Sequence, residues 1–252
     1  MTDALTDAAA IRALEETTFA AWPDLASIWL DGWLLRFAAG HTKRANSVNV
    51  VHAGQAGLDA RIAEAERHYR SAGLTPVFRL TPLAEDVLDG LLGARGYAVV
   101  EPSLVKTAPM LTGVSPDPGV TLTDDPETGW LDTYRAAAGL DDQAAVTLRA
   151  MLARIAGQPV YAVLRAQDDV LGLAMAVTTA GRVGFFDVLT LPEARRRGVA
   201  RRIMESLIAW SRDEAGATSM WIQVVAANAP ARNLYRHLGF RTAYGYHYRV
   251  AP

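Results

Sequence analysis

Hydrophobic positions recur along the chain with two periods, and these periods predict an alternation of helices and strands. Apolar residues spaced three and four apart predict amphipathic helices. Short apolar, β-branched runs between turn residues predict strands. Helices are expected at Ala9–Ala21, Ala60–Ala72, Trp130–Ala138, Asp141–Ala156, Val199–Glu214 and after Asn228. Strands are expected at Trp33–Ala38, Asn46–Val51, Pro76–Leu80, Val120–Thr123, Val160–Arg165, Val170–Thr178, Arg182–Thr190 and Met220–Val225.

The order of elements in the second half of the chain predicts a mixed α/β fold. From Val120 onward it reads strand, two helices, three strands, helix, strand, helix and two short strands. A polar turn, Gln167-Asp168-Asp169, separates two of the strands. The segment Gly113–Gly119, which reads GVSPDPG, breaks every period. We interpret it as a linker between a lobe of residues 1–112 and a lobe of residues 120–252.

The two halves of the chain also resemble each other. A shift of 143 residues places Ala72-Gly73-Leu74-Thr75 on Ala215-Gly216-Ala217-Thr218, and Gly96-Tyr97 on Gly239-Phe240. Each copy then contains a helix, a strand, a helix, a glycine–aromatic pair and two short strands. We infer an internal duplication. The first copy is truncated, because it lacks the early strands of the second.

Composition and charge narrow the classes of function. Half of the residues are hydrophobic, which excludes disorder over most of the length. The 25 basic and 27 acidic residues give a net charge of −2, so no nucleic-acid partner is expected. The chain has no cysteine, which excludes disulfides, thiolate metal sites and a cysteine nucleophile. The five histidines lack metal-ligand spacing, so no metal is expected.

The distribution of apolar residues bears on location and partners. No apolar run is long enough to span a membrane. The acidic start MTDALTD lacks the layout of a signal peptide. We therefore expect a cytoplasmic protein without a membrane partner, present as a monomer or a homodimer.

The stretch from Asp187 to Arg201 combines a strand end, an arginine-rich turn and a helix start. Unpaired N–H groups and the helix dipole attract anions at a helix N-terminus. Gly198 and the small Ala200 allow a ligand to approach the backbone. The arginines would add charge-assisted hydrogen bonds to a diphosphate; they are Arg195, Arg196, Arg197 and Arg201. A solvated basic turn explains the same residues equally well.

A second stretch begins at Asn228, which suits a helix N-cap. Pro230 suits the first turn of that helix, and Gly239 suits its C-terminal end. Taken alone, Tyr235 in this helix indicates a half-buried packing aromatic rather than an acid.

Together these two stretches resemble the GNAT superfamily of N-acetyltransferases. Arg195-x-x-Gly198-x-Ala200 is similar to the acyl-CoA loop of that family. Asn228-x-x-Ala231-x-x-Leu234-Tyr235-x-x-x-Gly239-Phe240 is similar to its second hallmark. The resemblance covers about Val120 to Val250, and the stretches Asp31–Phe37 and Thr42–Ser47 resemble the first lobe of two-lobed members. It implies a GNAT fold with a complete C-terminal domain and a truncated N-terminal copy.

The resemblance also implies an activity. The protein would be an acyl-CoA-dependent N-acetyltransferase that uses acetyl-CoA as a cosubstrate and an amine as the acceptor. The amine would attack directly within a ternary complex. Tyr235 is the candidate acid, and the strand edge at Val188–Thr190 would pair with the pantetheine arm. The residues expected to bind the donor are Val188, Leu189, Thr190, Arg195, Arg196, Arg197, Gly198, Val199, Ala200, Arg201 and Asn228.

The general base is less constrained by the sequence. Asp187 is the candidate on the strand that enters the site, although strand alternation allows it to point away from the cleft. Gln223 lies where some family members carry a glutamate, but an amide cannot act as a base. A water relay is an equal alternative.

The first lobe differs from the family pattern. Where an anion loop would lie it has His52–Gly57 without an arginine, and Leu92 stands in the place of Tyr235. We expect this lobe not to bind CoA and to close one wall of the acceptor cleft. Thr42–Asn46 would recognise an acceptor anion or form a plain hairpin turn. The alternating tyrosines would pack on the core or line the cleft; they are Tyr244, Tyr246 and Tyr248.

Two functions from different classes remain at this point. The first is an N-acetyltransferase whose acceptor is a small-molecule amine, an amino-acid derivative or a protein amine. The second is a catalytically silent CoA-binding sensor or scaffold protein. Both require the same donor loop, so a turnover measurement separates them.

Overall fold

The computed structural model describes residues 5–127, 129–167 and 169–252. In these residues, α-helices and β-strands alternate, which confirms the mixed α/β class. The helices are α1 (Ala8–Ala21), α2 (Leu58–Ser71), α3 (Leu88–Ala94), α4 (Trp130–Ala138), α5 (Asp142–Leu152), α6 (Val199–Asp213) and α7 (Ala229–His237). The strands are β1 (Ala26–Leu30), β2 (Trp33–Phe37), β3 (Val48–Val50), β4 (Val77–Leu80), β5 (Ala98–Pro109), β6 (Val120–Thr123), β7 (Gln158–Ala166), β8 (Asp169–Thr179), β9 (Arg182–Thr190), β10 (Ser219–Val225) and β11 (Arg241–Val250).

These strands form one 11-stranded sheet in the order β1-β2-β3-β4-β11-β5-β10-β9-β8-β7-β6. Strand β5 pairs antiparallel with β10 and β11, and β11 also pairs antiparallel with β4. Each half of the chain therefore places one strand among the strands of the other half. The segment 113–119 connects β5 to β6, and a division into two lobes at this segment stays a prediction.

The two halves follow the same order of secondary structure. A shift of 143 residues moves α2, β4, α3 and β5 onto α6, β10, α7 and β11, to within two residues at each end. Gly96 and Gly239 follow the helices at equivalent positions with φ of +85° and +83°. Glycine is favoured at these helix ends because its missing Cβ permits the left-handed backbone.

Helices cover both faces of the sheet, and neighbouring residues of β8 pack on opposite sides. Met175 belongs to the core cluster that includes side chains of α1, α4 and α5. Ala174 and Ala176 belong to the cluster beneath α6. A third cluster lies beneath α2 and α3. Burial on both faces explains why β8 reads as a continuous apolar run rather than an alternating one.

The structure departs from the sequence-based predictions in three main ways. The hydrophobic pattern misses β1, an edge strand whose Trp29 is 62% exposed. Helix α5 begins after Asp141, because the Asp141 carboxylate caps it by accepting the Ala144 N–H at 2.7 Å, and it ends at Leu152. The two short strands predicted after each glycine–aromatic pair are single long strands, β5 and β11, because bulges bend them without ending their pairing.

Two further predictions concern the turn after β7 and a membrane-spanning segment. Asp168 of the predicted turn after β7 lies outside the described residues. No helix in residues 5–127, 129–167 and 169–252 combines the length and the apolar character needed to cross a membrane.

Candidate active site

The arginine-rich turn connects β9 to α6. A short 3-10 turn over Pro192–Ala194 follows β9, and Gly198 is the N-cap of α6 with φ of +76°. Arg196 is also left-handed, with φ of +62°. Ala194 and Val199 are buried, whereas residues 195–197 are exposed. The turn is therefore anchored by its apolar ends and presents its cations outward.

The backbone amides of residues 196–201, at the end of this turn and the start of α6, have no acceptor within the described part of the chain. The N–H of Arg202 bonds to the carbonyl of Gly198 at 3.1 Å, and the N–H groups of residues 196–201 precede this first helical bond. A Cβ built on Gly198 meets no atom within 4 Å. The start of α6 thus combines unpaired donors, the positive end of the helix dipole and an open approach, which suits an anion.

The equivalent turn in the first half of the chain, between β3 and α2, is closed by the protein itself. The Asp31 carboxylate accepts the N–H of Gln55 at 2.8 Å and that of Ala56 at 2.7 Å. The bond from Gln55 is the largest cause of the lowered pKa of Asp31. A carboxylate of the chain therefore occupies the place where an external anion would bind.

A cleft of about 640 Å³ extends from the arginine turn to α7. It brings together residues from both motif stretches. The predicted residues in its lining are Val188, Leu189, Thr190, Arg195, Arg196, Gly198, Val199, Ala200, Arg201, Asn228 and Tyr235. Arg197 and Asp187, which were also predicted, lie outside this lining.

The cleft lies where β9 and β10 separate. These parallel strands pair from Arg182 to Phe185 of β9, opposite Ser219 to Ile222 of β10, and no farther in the described sheet. Beyond that point β9 pairs with β8, whereas β10 pairs with β5. The edge of Val188–Thr190 that faces β10 is therefore left without a strand partner, so it is free for the pairing that the resemblance implied.

Tyr235 lies on the buried side of α7 and is 5% exposed. Its ring meets the edge of the Phe240 ring at a centroid distance of 6.0 Å. Burial raises the pKa of Tyr235 to about 12. The phenol therefore keeps its proton at neutral pH and can donate it to a group in the cleft.

Asp187 lies at a bulge of β9, with a left-handed φ of +50°. The Tyr134 hydroxyl of α4 donates to its Oδ1 at 3.1 Å, and its Oδ2 is buried without a partner in the described chain. Burial raises the pKa of Asp187, although the Arg44 guanidinium and Tyr134 oppose the shift. The contact with α4 places this carboxyl on the face of the sheet opposite α6. A buried carboxylate with a raised pKa is typical of a catalytic base.

A second opening of about 330 Å³ lies at the end of β10, beside Gln223. The Tyr246 hydroxyl donates to Gln223 Oε1 at 3.0 Å, and Tyr246 and Tyr248 both line the opening. Tyr244 instead packs in the core and donates to the buried Glu15 at 2.6 Å. The alternating tyrosines therefore divide between the two roles that the sequence left open.

The opposite wall of this opening comes from the first half of the chain. Thr42, Lys43 and Arg44 line it. Lys43 Nζ lies 2.6 Å from Oε1 of Glu101, a β5 residue with φ of +49°. Sequence reasoning missed Glu101, because nothing in the sequence signals the bulge that turns it toward Lys43. No three His, Asp or Glu side chains in the described residues are grouped to hold a metal ion.

The fold and the cleft define the class of protein, the GNAT fold. A GCN5-related N-acetyltransferase from Kribbella flavida superposes with a TM-score of 0.72 at 14% identity, over 96% of this chain and 95% of its own. A tandem GNAT protein from the clavulanic acid biosynthesis pathway superposes with a TM-score of 0.65 at 15% identity, over 94% and 87%. These likenesses show the fold expected from the two motifs.

The chain belongs to the family described as "Probable histone acetyltransferase Rv0428c C-terminal", which matches residues 8–249. The probable histone acetyltransferase Rv0428c of Mycobacterium tuberculosis is 34% identical over 264 residues, covering 100% of this chain and 77% of the relative. The uncharacterized N-acetyltransferase YobR of Bacillus subtilis is 26% identical over 245 residues, covering 95% and 98%. The homologues are thus GNAT-family N-acetyltransferases, which supports an acyltransferase function.

Proposed function

We propose that this protein transfers an acetyl group from acetyl-CoA to an amine. One observation carries the proposal. The amides that begin α6 have no acceptor in the described chain, whereas Asp31 fills the equivalent turn before α2. The diphosphate of the donor would take at α6 the place that the Asp31 carboxylate takes at α2. Membership of a family of acetyltransferases supports the same reading.

The residues of the cleft fit such a donor. The diphosphate would accept hydrogen bonds from the amides at 197–201, with charge assistance from Arg195 and Arg196. The pantetheine arm contains amides, so it would pair with the free edge of Val188–Thr190 as an added strand. Asn228 caps α7 by accepting the Ala231 N–H at 3.1 Å, which fixes the helix end beside that arm.

The acceptor would approach through the second opening. The splayed strands separate this opening from the donor cleft, so the acceptor and the donor would enter by different routes. Its nitrogen attacks the thioester carbonyl carbon; a C–N bond forms and the C–S bond breaks. Asp187 takes the proton that the amine loses. Tyr235 gives its proton to the departing thiolate, whose pKa is about 8.5. A backbone N–H near Leu189 or Thr190 would stabilise the oxyanion.

A base is needed because an alkyl amine with a pKa of about 10 is almost fully protonated at pH 7. Asp187 fits this role through its buried, unpartnered Oδ2 and its raised pKa. Thr42, Lys43 and Arg44 give the first lobe its own role, as one wall of the acceptor opening. The acceptor would be a small-molecule amine or a protein amine.

Turnover distinguishes this enzyme from a silent CoA-binding sensor. Purified protein with acetyl-CoA and a panel of primary amines should release free CoA, measured with a thiol reagent. The thiol signal needs no correction for thiols of the protein, since the chain has no cysteine. A raised Tm with acetyl-CoA but no CoA release from any amine would favour the sensor. An unchanged Tm together with no release would contradict both functions.

A further inference from the structure

Another cleft, distinct from both the donor cleft and the second opening, lies on the other side of α7 from the donor cleft. Its volume is about 520 Å³, and it shares no lining residue with the donor cleft. Four of its lining residues are cations: Lys106 of β5, Arg232 and Arg236 of α7, and Arg241 of β11. The rest are Ala229, Asn233, Phe240 and Thr242, so the lining contains no acidic residue. We call this cleft the basic pocket.

Lys106 is the buried member of the basic pocket. It is 7% exposed, and its Nζ donates to Thr242 Oγ1 at 3.0 Å. Burial lowers the pKa of Lys106, and the nearby Arg232 lowers it further. No carboxylate in the described chain forms an ion pair with any of the four cations. A buried ammonium without a counter-charge is costly unless an anion accompanies it.

The equivalent site beside α3, which combines residues of both halves of the chain, supplies an internal comparison. The shift of 143 residues places Lys106 on Arg249 and Arg232 on Asp89. Arg249 Nε donates to Asp89 Oδ1 at 2.8 Å, so the cation on the strand is neutralised by an acid on the helix above it. At α7, Arg232 stands in the place of that acid, beside Lys106 of β5, and a like-charged pair results.

Arg236 and Arg241 add to the difference in charge between the site at α7 and the equivalent site at α3. Arg236 and Arg241 correspond to Gly93 and Ala98, so the first copy has no cation at either position. Both arginines are exposed at the mouth of the pocket, and Arg232 is held by a bond from its Nη1 to the carbonyl of Ala226 at 2.8 Å. The site at α3 therefore balances Arg249 with Asp89, whereas the equivalent site at α7 gathers cations around a cleft.

We propose that the basic pocket binds the phosphate group of a small phosphorylated molecule, independently of the donor cleft. A phosphate carries up to two negative charges and accepts bidentate hydrogen bonds from arginine, which suits this set of cations better than a single carboxylate. The volume exceeds that of a phosphate ion and leaves room for the group esterified to it. Such a ligand supplies the counter-charge that Asp89 supplies in the first copy.

Inorganic pyrophosphate is the probe, titrated by calorimetry at constant ionic strength set with chloride. The donor cleft is disabled first with Arg196→Gln and Arg201→Gln, so that the remaining binding belongs elsewhere. In that background Arg236→Gln with Arg241→Gln should weaken pyrophosphate binding about tenfold or more, since charge-assisted hydrogen bonds to the phosphate are lost. Arg67→Gln with Arg70→Gln on α2 removes the same charge and should change little. Equal weakening by both pairs, or by neither, overturns the proposal.

Lys106→Met provides a second measurement that does not depend on the exposed arginines. In the Arg196→Gln, Arg201→Gln background, the Tm should rise with pyrophosphate by mass action, and this rise should vanish when Lys106→Met is added. A rise that is as large with Lys106→Met as without it overturns the assignment of the site. Phenyl phosphate then separates the sources of the phosphate: tighter binding than phosphate ion supports an ester ligand, and binding of phosphate ion alone overturns it.

Discussion

Replacing Gly198 by glutamate tests the anion site at the start of α6. Gly198 is the N-cap of α6, and a Cβ at this position points into open space. The glutamate side chain therefore meets no wall of the protein. It would place a carboxylate beside the amides of residues 196–201, where the diphosphate of acetyl-CoA is proposed to bind.

The expected loss follows from Coulomb's law. A unit charge about 5 Å from a phosphate costs roughly 1–3 kcal/mol at effective dielectric constants between about 80 and 20. This energy corresponds to a Kd about 5- to 150-fold weaker. The left-handed backbone adds roughly 1–2 kcal/mol to the cost of folding for a residue with a Cβ. Gly198→Asn separates the two effects, since asparagine tolerates this backbone and carries no charge.

Calorimetric titration with acetyl-CoA measures the Kd of each variant. Gly198→Glu should weaken binding by the factor above, whereas Gly198→Asn should stay close to the wild type. Gly57→Glu is the matched control, because Gly57 is the N-cap of α2, equally open, with φ of −60°. It should leave the Kd unchanged. A folded Gly198→Glu variant with the wild-type Kd, or an equal loss in Gly57→Glu, refutes the reasoning.

Three further substitutions test other parts of the structure. Tyr235→Phe should lower kcat about a hundredfold with little change in KM, from pH 7 to 9, because its pKa is about 12; an unaltered kcat removes Tyr235 as the acid. Asp187→Asn should lower kcat/KM most near neutral pH and least near pH 10, where amines lose their proton unaided. It should also raise the Tm at pH 8, because a carboxyl with a raised folded pKa makes the fold less stable as the pH rises from the ordinary carboxyl pKa through the raised one; an unchanged pH–rate profile rules out Asp187. Gly184→Ala should destabilise the fold by about 1–3 kcal/mol, since its Cβ would lie 2.2–2.8 Å from Trp221 ring atoms; a wild-type denaturation midpoint would contradict this packing.

Local patterns were sufficient to predict most helices and strands. Periodicity places α4 at Trp130–Ala138, and Gly239 follows α7 in the left-handed backbone as expected. The two motif stretches also meet across one cleft, because each marks the start of a helix on the same face of the sheet. These features depend on residues close together in sequence.

Long-range features were not predictable in the same way. The exchange of β5 and β11 depends on pairing between strands more than a hundred residues apart, and each strand pattern fits several neighbours. The bond from the Gln55 amide to Asp31 joins two loops that no motif connects. The direction of Asp187 depends on one bulge, which moves a side chain to the other face of the sheet.

The position of β5 has a consequence for how the chain reaches its final form. During synthesis β5 emerges long before β10 and β11, the two strands that flank it. The first half therefore keeps an open sheet edge until β10 and β11 have left the ribosome, and contacts of such high sequence separation form slowly. The same interlocking gives the first copy a structural role, although Asp31 has closed its own anion turn: without β5, the second half would lose the strand that lies between β10 and β11.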